Sequence, residues 1–344
     1  MSDNSLIEWC TATWNFLIGC TKKSAGCMHC YAIRQAWRMM HNPNPKIAKK
    51  FEGTVHKDSK GELNWTGRIN FDDEVILKPL SWRLPRRVFV NSLSDLFHKN
   101  VKDEWLDQAF AVMALCPQHT FQILTKEPER MLAYMTRLSR SIAPLESAAR
   151  QMGHTLKFKG LNGKEYGLLP WPIPNVWLGT SVEDQKTADE RIPLLMETPA
   201  AIRWVSAEPL LGPIDFEAVP TMEGSIDWVV VGGESGPKAR PMHPDWARSL
   251  RDQCVAAGVP FFFKQWGSFL PIGEVKDGDE LINGTCVFNQ AGERISPDCC
   301  SNDYEVEPEE VAVRFKPMNK KAAGRLLDGR EWNEFPKTKA VAAA

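Results

Sequence analysis

Short apolar runs recur along this chain, and most end in polar residues before an amphipathic stretch begins. Arg87-Val-Phe-Val-Asn-Ser-Leu-Ser-Asp95 opens the series. Thr120-Phe-Gln-Ile-Leu-Thr-Lys126, Asn175-Val-Trp-Leu-Gly-Thr-Ser181, Ala201-Ile-Arg-Trp-Val-Ser-Ala-Glu208, Asp227-Trp-Val-Val-Val-Gly-Gly-Glu234 and Pro260-Phe-Phe-Phe-Lys-Gln-Trp266 follow. Continuous apolar runs joined by helices mean parallel strands buried on both faces. Leu106, Phe110, Met113 and Ala114 make one helical stripe. Met131, Met135 and Leu138 make a second, with Pro128 at the helix start. Further helices are expected near Thr187–Met196 and from Pro244 to a stop at Gly258. The apolar segment Leu6 to Ile18 adds a strand at the front, for about seven in all. The class is therefore α/β. A doubly wound open sheet and a full or partial parallel (β/α) barrel both fit this periodicity.

The polar residues favour a site at the strand ends. Asn91, Ser92 and Asp95, then Thr125 and Lys126, Thr180 and Ser181, Ser206 and Glu208, Glu234, and Lys264 each follow the apolar part of a strand. In a (β/α) barrel such positions converge on the C-terminal mouth, where sites are built.

Between the first strand and a helix expected over Tyr31–His41 lies Gly19-Cys-Thr-Lys-Lys-Ser-Ala-Gly-Cys-Met-His-Cys30. Cys20, Cys27 and Cys30 are spaced Cys-x6-Cys-x2-Cys, with no fourth cysteine nearby. Closed zinc sites and all-cysteine iron–sulfur sites take four ligands. Three thiolates suit a [4Fe–4S] cluster with one iron open, and S-adenosylmethionine is the cofactor that goes with such a site. A zinc loop completed by His29 or a distant residue is the alternative. The nine cysteines are odd in number and clustered. The opening Met-Ser-Asp-Asn-Ser lacks a signal segment, and no apolar run approaches the ~18–20 residues of a membrane span. Cytoplasmic thiols used for metal rather than disulfides are expected. A net charge of −1 leaves any nucleic-acid contact to local basic patches.

Residues 1–267 are expected to form the barrel, with insertions at 43–85 and 141–172 and a hairpin around Trp65–Leu77. Residues 268–344 read as a C-terminal appendage and tail. Cys299 and Cys300 are left unassigned there, and Lys316–Arg330 reads as a solvated basic helix face.

The chemistry assigns provisional duties. Ser92, Ser94 and Asp95 suit the cofactor's ammonium, Lys126 its carboxylate, and His29 or Tyr31 its adenine. Asn91, Thr180 and Ser181 are further cofactor-side candidates. Glu208, Glu234 and Lys264 are the catalytic or substrate-facing ones. Of thirteen tryptophans, most are expected in the core and one or two near the mouth to stack on a base.

Several motifs carry a resemblance. Ile7-Glu-Trp9, Ala12-Thr-Trp-Asn15, Gly19-Cys-Thr-Lys22, Gly26-Cys27 and Cys30-Tyr-Ala32 open the chain; Ser92-Leu-Ser-Asp-Leu-Phe-His98, Leu124-Thr-Lys126, Trp177-Leu-Gly-Thr-Ser181, Ser206-Ala-Glu-Pro-Leu210, Gly232-Gly-Glu-Ser-Gly236, Phe263-Lys-Gln-Trp-Gly267 and Leu326-Leu-Asp-Gly-Arg-Glu-Trp332 follow. Together they resemble a phage- and prophage-associated three-cysteine family with radical S-adenosylmethionine character. Thr11 and Phe16 depart from its pattern, standing where an acid and a proline are expected. The resemblance implies a [4Fe–4S] cluster on Cys20, Cys27 and Cys30 and a barrel of the radical S-adenosylmethionine type. It further implies a phage-linked role on a modified nucleobase, such as isomerising an amino-acid-modified thymine in DNA. An electron donor such as flavodoxin or ferredoxin would be a partner, in the host cytoplasm. Two other readings stand beside it: a zinc-loop nucleic-acid-binding accessory protein, and an iron–sulfur electron-transfer or sensor protein.

Overall fold

Seven strands pair in parallel and in chain order: β1 (Ala12–Trp14), β2 (Arg87–Val90), β3 (Thr120–Thr125), β4 (Val176–Val182), β5 (Ile202–Ala207), β6 (Trp228–Gly232) and β7 (Phe261–Gln265). A doubly wound sheet reverses its strand order partway. Here there is no reversal, so right-handed crossovers place the helices between successive strands from β2 onward on the same face and the sheet curls. β1 and β7 do not pair, which leaves a half-barrel. This decides between the two topologies that periodicity left open. The computed structural model describes residues 5–156, 158–159, 165–166, 169–220, 225–275, 285–295 and 312–337.

α1 (Tyr31–Met40) and α2 (Pro45–Phe51) pack in a cluster of their own with Ile18, Val55, Trp65 and Leu93, whereas the outer face of the sheet packs on α3 (Asp103–Leu115), α4 (Pro128–Arg140), α5 (Ala143–Gln151), α6 (Gln185–Glu197) and α7 (Pro244–Ala257), or on the loops between them. The expected stripes are the buried ones: Leu106, Phe110 and Met113 on α3, and Met131, Met135 and Leu138 on α4. Asp184 and Thr187 cap α6 reciprocally, and Gly258 ends α7 in the left-handed region at φ 67°.

The concave face carries its own aromatic cluster. Trp9 meets Trp204 at 5.3 Å between ring centroids, and Trp204 meets Trp228 at 5.3 Å. Gly179 makes this possible, because a Cβ there would stand 2.5 Å from the Trp204 indole. Trp177, Trp204 and Trp228 are therefore core, filling the half-barrel below its mouth.

The expected hairpin lies earlier than Trp65–Leu77. Val55–Lys57 pairs with Leu63–Trp65 around a Gly61 turn, where the Asp58 carboxylate accepts from the Lys60 and Glu62 amides. Asn70–Phe71 instead pairs with Leu17–Ile18 beyond β1. The appendage contains a three-stranded antiparallel sheet of β8 (Phe269–Val275), β9 (Cys286–Phe288) and β10 (Ala312–Pro317), with β10 central.

The chain then returns to the barrel. Phe263 donates its amide to the Trp332 carbonyl at 2.9 Å, and Phe335 stacks on Trp228 at 5.2 Å. The last described residues thus cover the free edge of β7. The basic segment is not one helix either. Only α8 (Lys320–Ala323) is helical, because Gly324, Asp328 and Gly329 take positive φ. Arg325 donates to the Lys264 carbonyl at 3.0 Å. Cys299 and Cys300 lie outside the described residues.

Candidate active site

A cavity of about 650 Å³ opens at the C-terminal ends of the strands. The cysteine loop leaves β1 and is fastened from several other strand ends. The Ser94 hydroxyl, after β2, donates to the Gly19 carbonyl at 2.5 Å. The His98 ring and the Thr21 hydroxyl bond at 2.8 Å. His98 Nδ1 accepts from the Asn100 amide, so Nε2 carries the proton toward Thr21. Beyond β4, Glu183 accepts from the Ser24 hydroxyl at 2.8 Å. Beyond β6, Arg240 donates to the Ala25 carbonyl at 2.9 Å. Two glycines permit these close approaches. A Cβ at Gly19, where φ is 110°, would lie 2.0 Å from the Arg68 carbonyl oxygen, and one at Gly26 would lie 2.6 Å from Glu183 Oε1.

Cys20, Cys27 and Cys30 all line the cavity, with their residues half-buried. No described cysteine is in a disulfide. Burial pushes the Cys20 and Cys30 thiols above their ordinary pKa, and the neighbouring thiols push the same way. Among the described residues, no group of three or more His, Cys, Asp or Glu side chains is arranged to hold a metal ion.

Most strand-end candidates do reach this cavity: His29, Tyr31, Asn91, Ser92, Ser94, Asp95, Lys126, Ser181, Glu208, Glu234 and Lys264 line it. Thr180 does not. Strand alternation turns it to the opposite face from Ser181, where its hydroxyl bonds the Thr125 carbonyl at 3.0 Å.

Several that do reach it are already engaged. Asp95 accepts from the Thr125 hydroxyl at 2.6 Å, the Lys126 amide at 2.8 Å and the Phe97 amide at 2.9 Å. Its carboxylate ties the end of β2 to the end of β3, which leaves it poorly placed to receive a ligand ammonium. Ser94 is spent on Gly19, and the Ser92 hydroxyl donates to Asn15 at 3.1 Å. The Tyr31 hydroxyl donates to the Ser92 carbonyl at 2.9 Å, and Ser181 to the Glu208 carbonyl at 3.1 Å. Asn91 takes the left-handed region at φ 56° and accepts from the Leu17 amide.

Glu234 grips Arg240 through bonds of 2.7 and 2.9 Å and accepts from the Arg240 amide as well. It acts as the anchor of the arginine that holds the cysteine loop. Gly232 and Gly233 serve packing: a Cβ on Gly233 would lie 2.1 Å from the Trp266 carbonyl oxygen.

Sequence reasoning overlooked Glu183, the most buried charge here. Its side chain is fully buried, pairs with Lys126, and accepts from Arg191 at 3.2 Å. The only signal was an acid just before an expected helix, which reads as ordinary helix capping. Burial lowers the Lys126 ammonium to about 8, with the Cys27 and Cys30 thiols pulling the other way. Glu127 was overlooked too. It bonds Lys23 through Oε2 at 2.7 Å, while its buried Oε1 takes no partner among the described residues.

No curated protein matches this chain, and no solved structure does. A family profile does match, over residues 4–336, which is nearly the whole length. The chain belongs to the family described as a protein of unknown function (DUF5131).

Proposed function

We propose that this protein is a radical S-adenosylmethionine enzyme. One observation carries the reading: Cys20, Cys27 and Cys30 line a single cavity together with the strand-end polar groups of a parallel half-barrel. A lone zinc ion would need its ligands to converge on one point, whereas a cubane cluster distributes three cysteines over three irons. The Cys-x6-Cys-x2-Cys set, with no fourth cysteine nearby, fits the second demand. A [4Fe–4S] cluster held there by these three cysteines would supply reductive cleavage of S-adenosylmethionine and hydrogen abstraction from a substrate.

The chain's own groups divide the remaining work. Lys126 is held by Glu183 and keeps two N–H bonds for a ligand carboxylate. Glu127 Oε1 is the unspent acceptor for an ammonium, the duty first given to Asp95. Asn91 Nδ2 is a buried donor without a partner among the described residues. His29 and Tyr31 border the place of an adenine. Glu208 and Lys264, paired at 2.6 Å, face the substrate side. The cysteine loop forms one wall of the cavity. The substrate class we propose is a modified nucleobase or nucleotide, supported by the family resemblance, with a flavodoxin- or ferredoxin-like electron donor.

Anaerobic reconstitution with iron and sulfide, followed by S-adenosylmethionine and dithionite, tests this. 5′-Deoxyadenosine above background is expected. Its absence from a protein with a filled cluster, or a colourless protein loaded with zinc, overturns the reading.

A further inference from the structure

The half-barrel has an open side, because β1 and β7 do not pair. The segment ahead of β1 crosses it. Trp9 is the fixed end of that segment: its buried indole meets Phe89 of β2 at 4.7 Å and Trp204 of β5 at 5.3 Å between ring centroids. Ser5, Leu6 and Ile7 continue along the cavity wall, and Lys320 of α8 lines the same cavity. Among the described residues, the hydrogen bonds of Ser5–Ile7 stay within residues 5–11. The Ser5 amide donates to the Thr11 carbonyl at 3.0 Å, the Ile7 amide and the Cys10 thiol donate to the Ser5 hydroxyl at 3.0 and 3.2 Å, and the Cys10 amide donates to the Ile7 carbonyl at 3.1 Å. The polar tie from this turn to the C-terminal segment is Lys320 Nζ on Glu8 Oε1 at 3.1 Å.

That tie is weak and incompletely satisfied. Both partners are partly exposed, which places the pair among those that contribute little. Glu8 Oε2 is buried with no partner among the described residues, a cost that is relieved when the oxygen returns to water. Of the turn's apolar side chains, Ile7 packs on the aromatic cluster, whereas Leu6 is 93% exposed and holds nothing down. Few buried contacts and local bonds alone mark a segment that opens without the rest of the fold. We propose that Ser5–Glu8 is a flap: a movable side wall of the cavity, hinged at Trp9 and latched by Glu8 on Lys320. Its opening widens the cavity from the unpaired side of the half-barrel. The cysteine loop stays in place, because its own ties run to Ser94, His98, Glu183 and Arg240. The flap serves the cavity whatever chemistry runs there, so it does not rest on the radical reading above.

Cys10 reports the position of the flap. Its thiol is buried behind the Ser5 hydroxyl, so a thiol reagent reaches it when the turn lifts. Cys116 and Cys254, buried in the outer core, report unfolding of the whole chain. Pulse labelling of the full chain with N-ethylmaleimide, read peptide by peptide by mass spectrometry, tests the proposal. Cys10 is expected to label about tenfold faster than Cys116 and Cys254, or more. Glu8→Gln and Lys320→Met should each speed Cys10 by about two- to fivefold, the range for an exposed pair, and leave the two core thiols unchanged. The double variant should go no further than either single one, because both remove the same ion pair. Salt at about 1 M, where the screening length falls to about 3 Å, should speed Cys10 in the parent chain and not in the variants. One common rate for the three thiols in the parent chain, or variants that leave Cys10 unchanged, overturns the flap. The labelling needs no cluster, dithionite or S-adenosylmethionine. A latch-dependent Cys10 in a chain that makes no 5′-deoxyadenosine thus upholds the flap while the radical reading falls, and the converse result removes the flap alone.

Discussion

Ser24 in the cysteine loop donates its hydroxyl to Glu183, 159 residues further along the chain, at 2.8 Å. This bond places a fully buried carboxylate directly beneath the loop that carries the candidate metal ligands. The same carboxylate meets Lys126 and Arg191, so one acid is shared by two cations and the loop. Removing its charge should strand both cations. Glu183→Gln is expected to lower unfolding stability by about 3–5 kcal/mol, the range for breaking a buried pair by deleting one partner. Gly26→Ala should cost about 1–3 kcal/mol by overpacking, since its methyl would lie 2.6 Å from Glu183 Oε1. Urea unfolding gives both numbers, and iron content after reconstitution should fall in parallel.

Each of Cys20→Ala, Cys27→Ala and Cys30→Ala should abolish cluster loading, because two thiolates on one loop do not hold a cubane. Iron and sulfide analysis after anaerobic reconstitution reads this directly. A variant with normal iron would show that its cysteine is not a ligand.

Glu234→Gln and Glu208→Gln should behave differently. Glu234 anchors Arg240 and through it the Ala25 carbonyl, so its loss should loosen the loop. The arginine is 34% exposed, and the stability cost should be only roughly 1 kcal/mol. Iron should leave this variant faster during desalting. Glu208→Gln weakens the grip on Lys264 on the proposed substrate side and should keep its iron while losing turnover.

Gly179→Ala tests the interior of the half-barrel. The added methyl meets the Trp204 indole at 2.5 Å, within a rigid aromatic cluster, and should cost about 1–3 kcal/mol in urea unfolding.

Acidification should destabilise the fold through its buried imidazoles. His119 is 0% exposed, and burial lowers its pKa from the ordinary value of 6.5; His98 shifts the same way for the same reason. The unfolded chain then binds a proton that the folded chain refuses. Stability is full above the ordinary value and falls as pH drops below it, by at most about 1.4 kcal/mol per pH unit for each group. Unfolding measured at a series of pH values should show this slope, and His119→Asn should flatten its share.

The strands and helices of the barrel were legible in the order of residues. Local apolar periodicity sets which segments become strands and which stripe each helix can bury, as at Leu106, Phe110 and Met113, but not the order in which the strands pair. The three-cysteine loop and the polar strand ends were equally legible, because residue type and spacing are local properties. Tertiary structure decided everything that depends on who spends whose hydrogen bonds. Asp95 and Glu234 have the same chemistry as free site carboxylates, yet Thr125 and Arg240 consume them. Thr180 and Ser181 are adjacent in sequence, yet only Ser181 reaches the cavity. Glu183 looks like a helix-capping acid until folding buries it under Ser24 and Gly26. Contacts across long sequence separations carry no local signature, so pairing, burial and unspent capacity emerge only when the half-barrel closes its loops over one mouth.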